Sequence, residues 1–138
     1  MKISTKGRYA LRMMIDIAEN QDAGFVALKD IAGRQEISKK YLEQIALHLS
    51  QCGMLRAVRG YQGGYKLARP ARDYTVAQIL SAVEGSMAHV TCLEDYENTC
   101  PRRAECKSLP VWMGLEKVIN NYLNDITLED IVSGNVKG

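Results

Sequence analysis

No long apolar run occurs in the 138 residues. The nearest candidate, around Ala10 to Ala18, is interrupted by Arg12 and Asp16, so no segment is expected to cross a membrane as a helix. The opening Met1-Lys2-Ile3-Ser4 has no apolar signal-peptide core, and a cytoplasmic location is expected. The chain also lacks a C-x-x-C motif, a phosphate-binding glycine loop and a nucleophile–base pair at short range. These absences argue against a thiol oxidoreductase or any other enzyme. Internal repeats and low-complexity tracts are missing too.

Net charge is small, at +2, but it is unevenly spread. Residues 1–74 carry 13 Lys and Arg against 7 Asp and Glu, whereas residues 75–138 carry 5 against 9. A basic half joined to an acidic half suggests one part that meets a polyanion and another with a different task.

The spacing predicts a first helix from Ser4 or Thr5, with Leu11, Met14, Ile15 and Ala18 on its buried side. A short second helix follows, with Leu28, Ile31 and Ala32 inward. Ser38 is placed to cap a third helix, and Ile37 with Leu42 to staple it. Leu42, Ile45, Ala46 and Leu49 form the apolar stripe of that helix. Lys39, Lys40, Glu43, Gln44 and His48 form its polar face, and Gly53 ends it. Two short alternating segments then flank Arg59-Gly60-Tyr61-Gln62-Gly63-Gly64, the pattern of a β-hairpin. Thr75 with Gln78 predicts a capped fourth helix ending at Gly85, with Tyr74 and Ile79 as its staple. No period is visible from Ser86 to Lys107. Pro110 opens a long helix carrying Val111, Leu115, Val118, Ile119, Tyr122 and Leu123, and Thr127 with Asp130 caps a last short one.

Three helices followed by a glycine-tipped hairpin is the order of a winged helix-turn-helix. In such a unit the third helix meets the major groove. Ser38 starts it, Lys39 and Lys40 can neutralise phosphates, and Tyr41 can donate to one. Glu43 can accept from a cytosine amino group, and Gln44 can read adenine or hold a phosphate. Arg59 and Gly60 of the slim hairpin can lie in or beside the minor groove. A helical bundle with an ordinary solvated face, or a module that binds other proteins through the winged helix, are the alternatives.

Met1-Lys2-Ile3-Ser4-Thr5-Lys6-Gly7-Arg8-Tyr9-Ala10 resembles the opening of the IscR/CymR-type (Rrf-two) bacterial repressors. So do Ser38-Lys39-Lys40-Tyr41-Leu42-Glu43-Gln44, the Arg59-Gly60 to Gly63-Gly64-Tyr65 hairpin and Glu84-Gly85. The resemblance covers nearly the whole chain. It implies a mainly α fold with a small β-hairpin wing, and a long C-terminal helix that dimerises by crossing its partner. The expected organisation is a DNA-binding unit at 1–85, a cysteine-bearing sensor loop at 86–107, and a dimerisation helix with a C-terminal helix at 108–138. Val111, Leu115, Val118, Ile119 and Tyr122 are the expected dimer contacts. The expected partners are double-stranded operator DNA and a second copy, with cluster-assembly or carrier proteins as further candidates.

Cys92, Cys100 and Cys106 stand in a C-x7-C-x5-C spacing within the irregular segment, where thiolates can converge free of helical constraint. Similar three-cysteine loops hold an iron–sulfur cluster in the IscR-like branch, whereas the CymR-like branch lacks the triad. The resemblance therefore implies cluster-responsive control of iron–sulfur biogenesis genes, with [2Fe–2S] favoured over [4Fe–4S]. The first gap is two residues longer than the usual C-x5-C-x5-C, and Leu109 stands where that pattern has a ligating histidine. The fourth ligand is open between His89, a carboxylate from Glu94, Asp95, Glu97 or Glu105, and a group of the second copy. Nitric-oxide-sensing relatives use an N-terminal acid there, but Arg8 occupies the matching position. Structural zinc or bare thiols acting as a redox or nitric oxide switch are the alternatives. Cys52 is expected to be a small buried residue, His48 a surface residue, and Trp112 and the methionines core or dimer packing.

Overall fold

The structure, a computed structural model, describes residues 2–138. It contains six α-helices and one two-stranded antiparallel hairpin. α1 spans Thr5–Asn20, α2 Leu28–Gln35 and α3 Lys39–Gln51. The strands β1, Leu55–Val58, and β2, Gly64–Leu67, form the wing. α4 covers Val76–Glu84, α5 Leu109–Asp125 and α6 Leu128–Val132. The strands pair from Leu55 with Leu67 to Val58 with Gly64. This is the mainly α fold with a hairpin wing and a long C-terminal helix that the spacing predicts. No helix among the described residues is long and apolar enough to cross a membrane.

Local chemistry starts α1, α3, α4, α5 and α6 where expected. Ser4 caps α1 by accepting from the Gly7 N–H at 3.0 Å. Ser38 caps α3 by accepting from the Tyr41 N–H. Thr75 with Gln78 and Thr127 with Asp130 form reciprocal capping boxes. The Thr127 hydrogen bonds hold the Asp130 carboxyl below its ordinary pKa. Pro110 sits in the first turn of α5, where its missing N–H leaves nothing unpaired. Residues between α4 and α5 have no regular element beyond a single 3-10 turn at Thr91–Leu93.

α1 is the central pillar, packed against α2, α3, α4, α6 and β2. That position rotates its buried face from the one expected. Ala10, Met13, Met14 and Ile17 are fully buried, while Leu11, Ile15 and Ala18 are half-buried. A helix with neighbours on several sides has no single apolar stripe, so the periodic pattern identifies the helix better than its orientation. Cys52 also departs from expectation. It caps α3 beyond the last buried position, Leu49, and the chain turns away at Gly53, so Cys52 is exposed.

The N-terminus and the end of α4 are stapled together. The Glu84 carboxylate accepts from the Ser4 N–H at 2.8 Å and from its hydroxyl at 2.7 Å. A side chain at Gly7 would collide with that carboxylate, which explains why the Ser4, Gly7 and Glu84 motifs occur together.

The C-terminal α6 does not trail away with α5. The Leu128 side chain is fully buried in the core beside α1. The Leu128 N–H donates to Tyr74 O at 2.9 Å, and the Val76 N–H to Ile126 O at 2.9 Å. Tyr74 is itself fully buried, and its hydroxyl donates to Met54 O at 2.7 Å.

Candidate nucleic-acid interface and cysteine loop

α2 is bolted to α1 by a polar network that sequence reading missed. Asp16 is only 2% exposed, yet both of its carboxyl oxygens are engaged. Arg34 Nη2 and Nε donate to its two oxygens at 2.6 and 3.0 Å, and Gln35 Nε2 donates at 2.9 Å. The hydrogen bond to Asp16 is the largest influence raising the Arg34 pKa, so the guanidinium stays charged. Arg12 donates through Nε to Gln35 Oε1 at 3.1 Å and through Nη2 to Gln35 O. Arg12 also lies over the Tyr9 ring, which meets Tyr41 of α3 edge-on at 5.7 Å. The α2–α3 turn follows at once, with Glu36 in the left-handed region at φ 54°. The buried Asp16 thus ties the end of α2 to α1 just before the chain turns into α3.

Beyond that turn, α3 presents Lys39, Lys40, Glu43, Gln44 and His48 to solvent, together with its cap Ser38. Tyr41 is half-buried against Tyr9. The wing carries Arg59 and Gly60 at its exposed tip, beside Tyr61. The tip closes through the Gly63 N–H, which donates to Gly60 O at 3.0 Å, with Gly60 at φ 104°. The wing is anchored by a bridge in which Val26 N and Tyr65 N donate to each other's carbonyls at 2.8 and 2.9 Å. Any side chain at Gly64 would meet the Val26 carbonyl. The residues expected to face DNA thus lie exposed on α3 and the wing, apart from the half-buried Tyr41.

At roughly 100° per residue, Val111, Leu115, Val118 and Tyr122 of α5 fall on one flank. Val111, Val118 and Tyr122 are 60, 67 and 56% exposed, and with half-buried Leu115 they form one uncovered apolar stripe. Ile119 and Leu123 turn toward the N-terminal segment and the end of α4. They line a cavity of about 320 Å³ with Ile3, Glu84 and His89. Met113 and Glu116 face the cysteine loop and line an open groove with Cys92, Tyr96 and Arg103. Trp112 is partly exposed and Met113 more so, while Met13, Met14 and Met54 are core residues.

Cys92, Cys100 and Cys106 are half-buried free thiols. The Cys106 thiol is held below its ordinary pKa, first by the Ser108 hydroxyl at 3.4 Å and then by backbone N–H groups and Arg102, against desolvation. His89 Nδ1 is buried without a hydrogen-bond partner. Among the described residues, no three His, Cys, Asp or Glu side chains stand together as a metal site. The loop therefore holds the right donor atoms but does not gather them, and His89 and Cys92 line different cavities.

The family described as Rrf2, iron-dependent transcriptional regulator, matches residues 3–134. The HTH-type transcriptional regulator IscR of Escherichia coli is 38% identical over 133 residues, covering 96% of this chain and 81% of its own. The structure of CymR, the global cysteine regulator of B. subtilis, superposes with a TM-score of 0.79 at 35% identity, covering 96% of this chain and 97% of its own. T. potens IscR gives a TM-score of 0.78 at 36% identity, covering 100 and 94%. Likeness of this extent to IscR and CymR alike, on a winged helix with its wing and long C-terminal helix in place, makes this chain a member of the Rrf2 family of DNA-binding transcriptional regulators.

Proposed function

We propose that this regulator binds operator DNA as a homodimer and that iron–sulfur chemistry at Cys92, Cys100 and Cys106 controls it. The observation that carries the reading is three unpaired thiols on the one irregular segment joining the DNA-binding unit to α5. Thiolates are the ordinary protein ligands of such clusters. The donor chemistry fits, and loading requires the loop to close, because the thiols are dispersed. His89 offers a nitrogen without a partner on the same segment and is our candidate for the fourth ligand. A bound cluster would supply a centre that responds to oxygen and redox state. We favour [2Fe–2S], the IscR-like branch, and iron–sulfur biogenesis genes as targets.

The chain's own residues supply the rest of the mechanism. Residues 86–107 act as the sensor loop, and the stripe Val111, Leu115, Val118 and Tyr122 meets the second copy, with Ile119 at its margin. Two copies read half-sites about 34–36 Å apart, so a small rotation at α5 changes which operators fit. Lys39, Lys40 and Tyr41 hold phosphates, Glu43 and Gln44 face bases, and Ser38, Arg59 and Gly60 set the edges of the contact.

An anaerobic visible absorption spectrum of fresh protein tests the sensing half. A broad band lost on exposure to oxygen or chelator is the expected result. No band after anaerobic reconstitution with iron and sulfide would overturn it. The second reading, a bare-thiol or zinc-dependent switch, would then stand. Its bare-thiol form is favoured by the dispersion of the thiols and the depressed Cys106 pKa, whereas zinc, like a cluster, would need the loop to close. For the reading half, Arg59→Ala is expected to weaken binding to selected genomic fragments and to lower the salt slope by about 1 for each phosphate that Arg59 neutralises. An unchanged slope in binding titrations across salt concentrations would remove Arg59 from the interface.

A further inference from the structure

Every aliphatic side chain of α3 is in the core except one. Leu42, Ile45, Ala46 and Leu49 are fully buried, whereas Leu47 is 58% exposed. At roughly 100° per residue, Leu47 falls at the centre of the solvent face of the helix. Lys40, Glu43, Gln44 and Gln51 surround it, and all are exposed. The helix packs on α1, α2, α4 and β1 through its other side. An isobutyl group is thus held in water at the middle of the surface that faces DNA.

Burial of that group against another apolar group is favourable. The major groove displays one such group on its base edges, the C5-methyl of thymine. Leu47 lies one helical turn beyond Glu43, about 6 Å along the axis, which is less than two base-pair steps. We propose that Leu47 is a specificity-determining residue that contacts a thymine methyl one or two base pairs from the pair that Glu43 and Gln44 face. The proposal rests on α3 being the reading helix and adds an apolar contact to its polar ones.

The test is selection of duplexes from a random library by the wild-type dimer, Leu47→Ala and Glu43→Ala, followed by replacement of the selected thymine with deoxyuridine. Both side chains are exposed, so the variants should fold. The wild type should enrich one thymine in each half-site that Leu47→Ala does not. Deoxyuridine should cost the wild type about fourfold per half-site, as expected for one buried methyl group, and should cost Leu47→Ala nothing further. Equal losses for both proteins, or no thymine that depends on Leu47, would overturn the proposal. If Glu43→Ala also selects the same sequences as the wild type, it is the assignment of α3 as the reading helix that fails.

Discussion

Replacing Arg34 with methionine is expected to cost about 3 kcal/mol of stability, the lower end for breaking a buried ion pair. At this chain length that lowers the thermal midpoint by about 10 °C. Methionine keeps much of the alkyl packing, so the loss reports the charge. Arg34 is itself 41% exposed and would be easily rehydrated, but the group left behind is not, because Asp16 is 2% exposed. Its carboxylate would keep only the Gln35 amide as a side-chain donor. Arg34→Met combined with Asp16→Ala should recover part of the loss, since the unpaired charge is then gone. Thermal unfolding of the two single variants and the double variant measures this. A loss below about 1 kcal/mol in Arg34→Met would make the pair an ordinary screened surface bridge. Because Gln35 and Glu36 follow directly, the variant should also bind DNA more weakly well below its midpoint.

The second large effect is expected at Gly64. Gly64→Ala would place a methyl group against the Val26 carbonyl. The backbone must then give way, straining or breaking the two Val26–Tyr65 hydrogen bonds that anchor β2. Overpacking together with the loss of those bonds should cost about 3 kcal/mol. The functional effect is larger than a surface change of one methyl suggests. Arg59 rides on the same hairpin, so a shifted wing misplaces it, and affinity should fall about fivefold, the low end for a well-placed arginine. Binding and unfolding curves on the same preparation separate the two effects. A variant that melts and binds like the wild type would mean that the bridge does not position the wing.

The elements were legible where a local rule governs them. Ser38, the Thr75–Gln78 and Thr127–Asp130 boxes, Pro110 and the glycines of the hairpin each act within a few residues, and each sits as its neighbours dictate. Long-range choices were not legible. Asp16 looked like an interruption of an apolar run, because its partner is 18 positions away in the next helix. The orientation of α1 depends on how many neighbours surround it, and Cys52 on where the chain leaves α3. Leu47 breaks the polar face of α3 by a single residue, a signal visible in the sequence once the helix is phased. The cysteine spacing identifies a donor set, but convergence of the thiols depends on a loop with no internal period.

α6 gives the molecule an unexpected kind of unity. Its Leu128 fills the same core as Met13 and Ile79, and the strand-like bridge of Thr75 with Thr127 closes the path. α5 is therefore a handle attached at both ends, not a tail. A fragment ending at Gly85 would have a hole where Leu128 belongs and would leave the backbone of Tyr74 and Val76 without the partners that residues 126 and 128 supply. The start and the end of the chain thus share one core. A chimera that takes its final helix from another parent has to refill the space that Leu128 occupies beside α1.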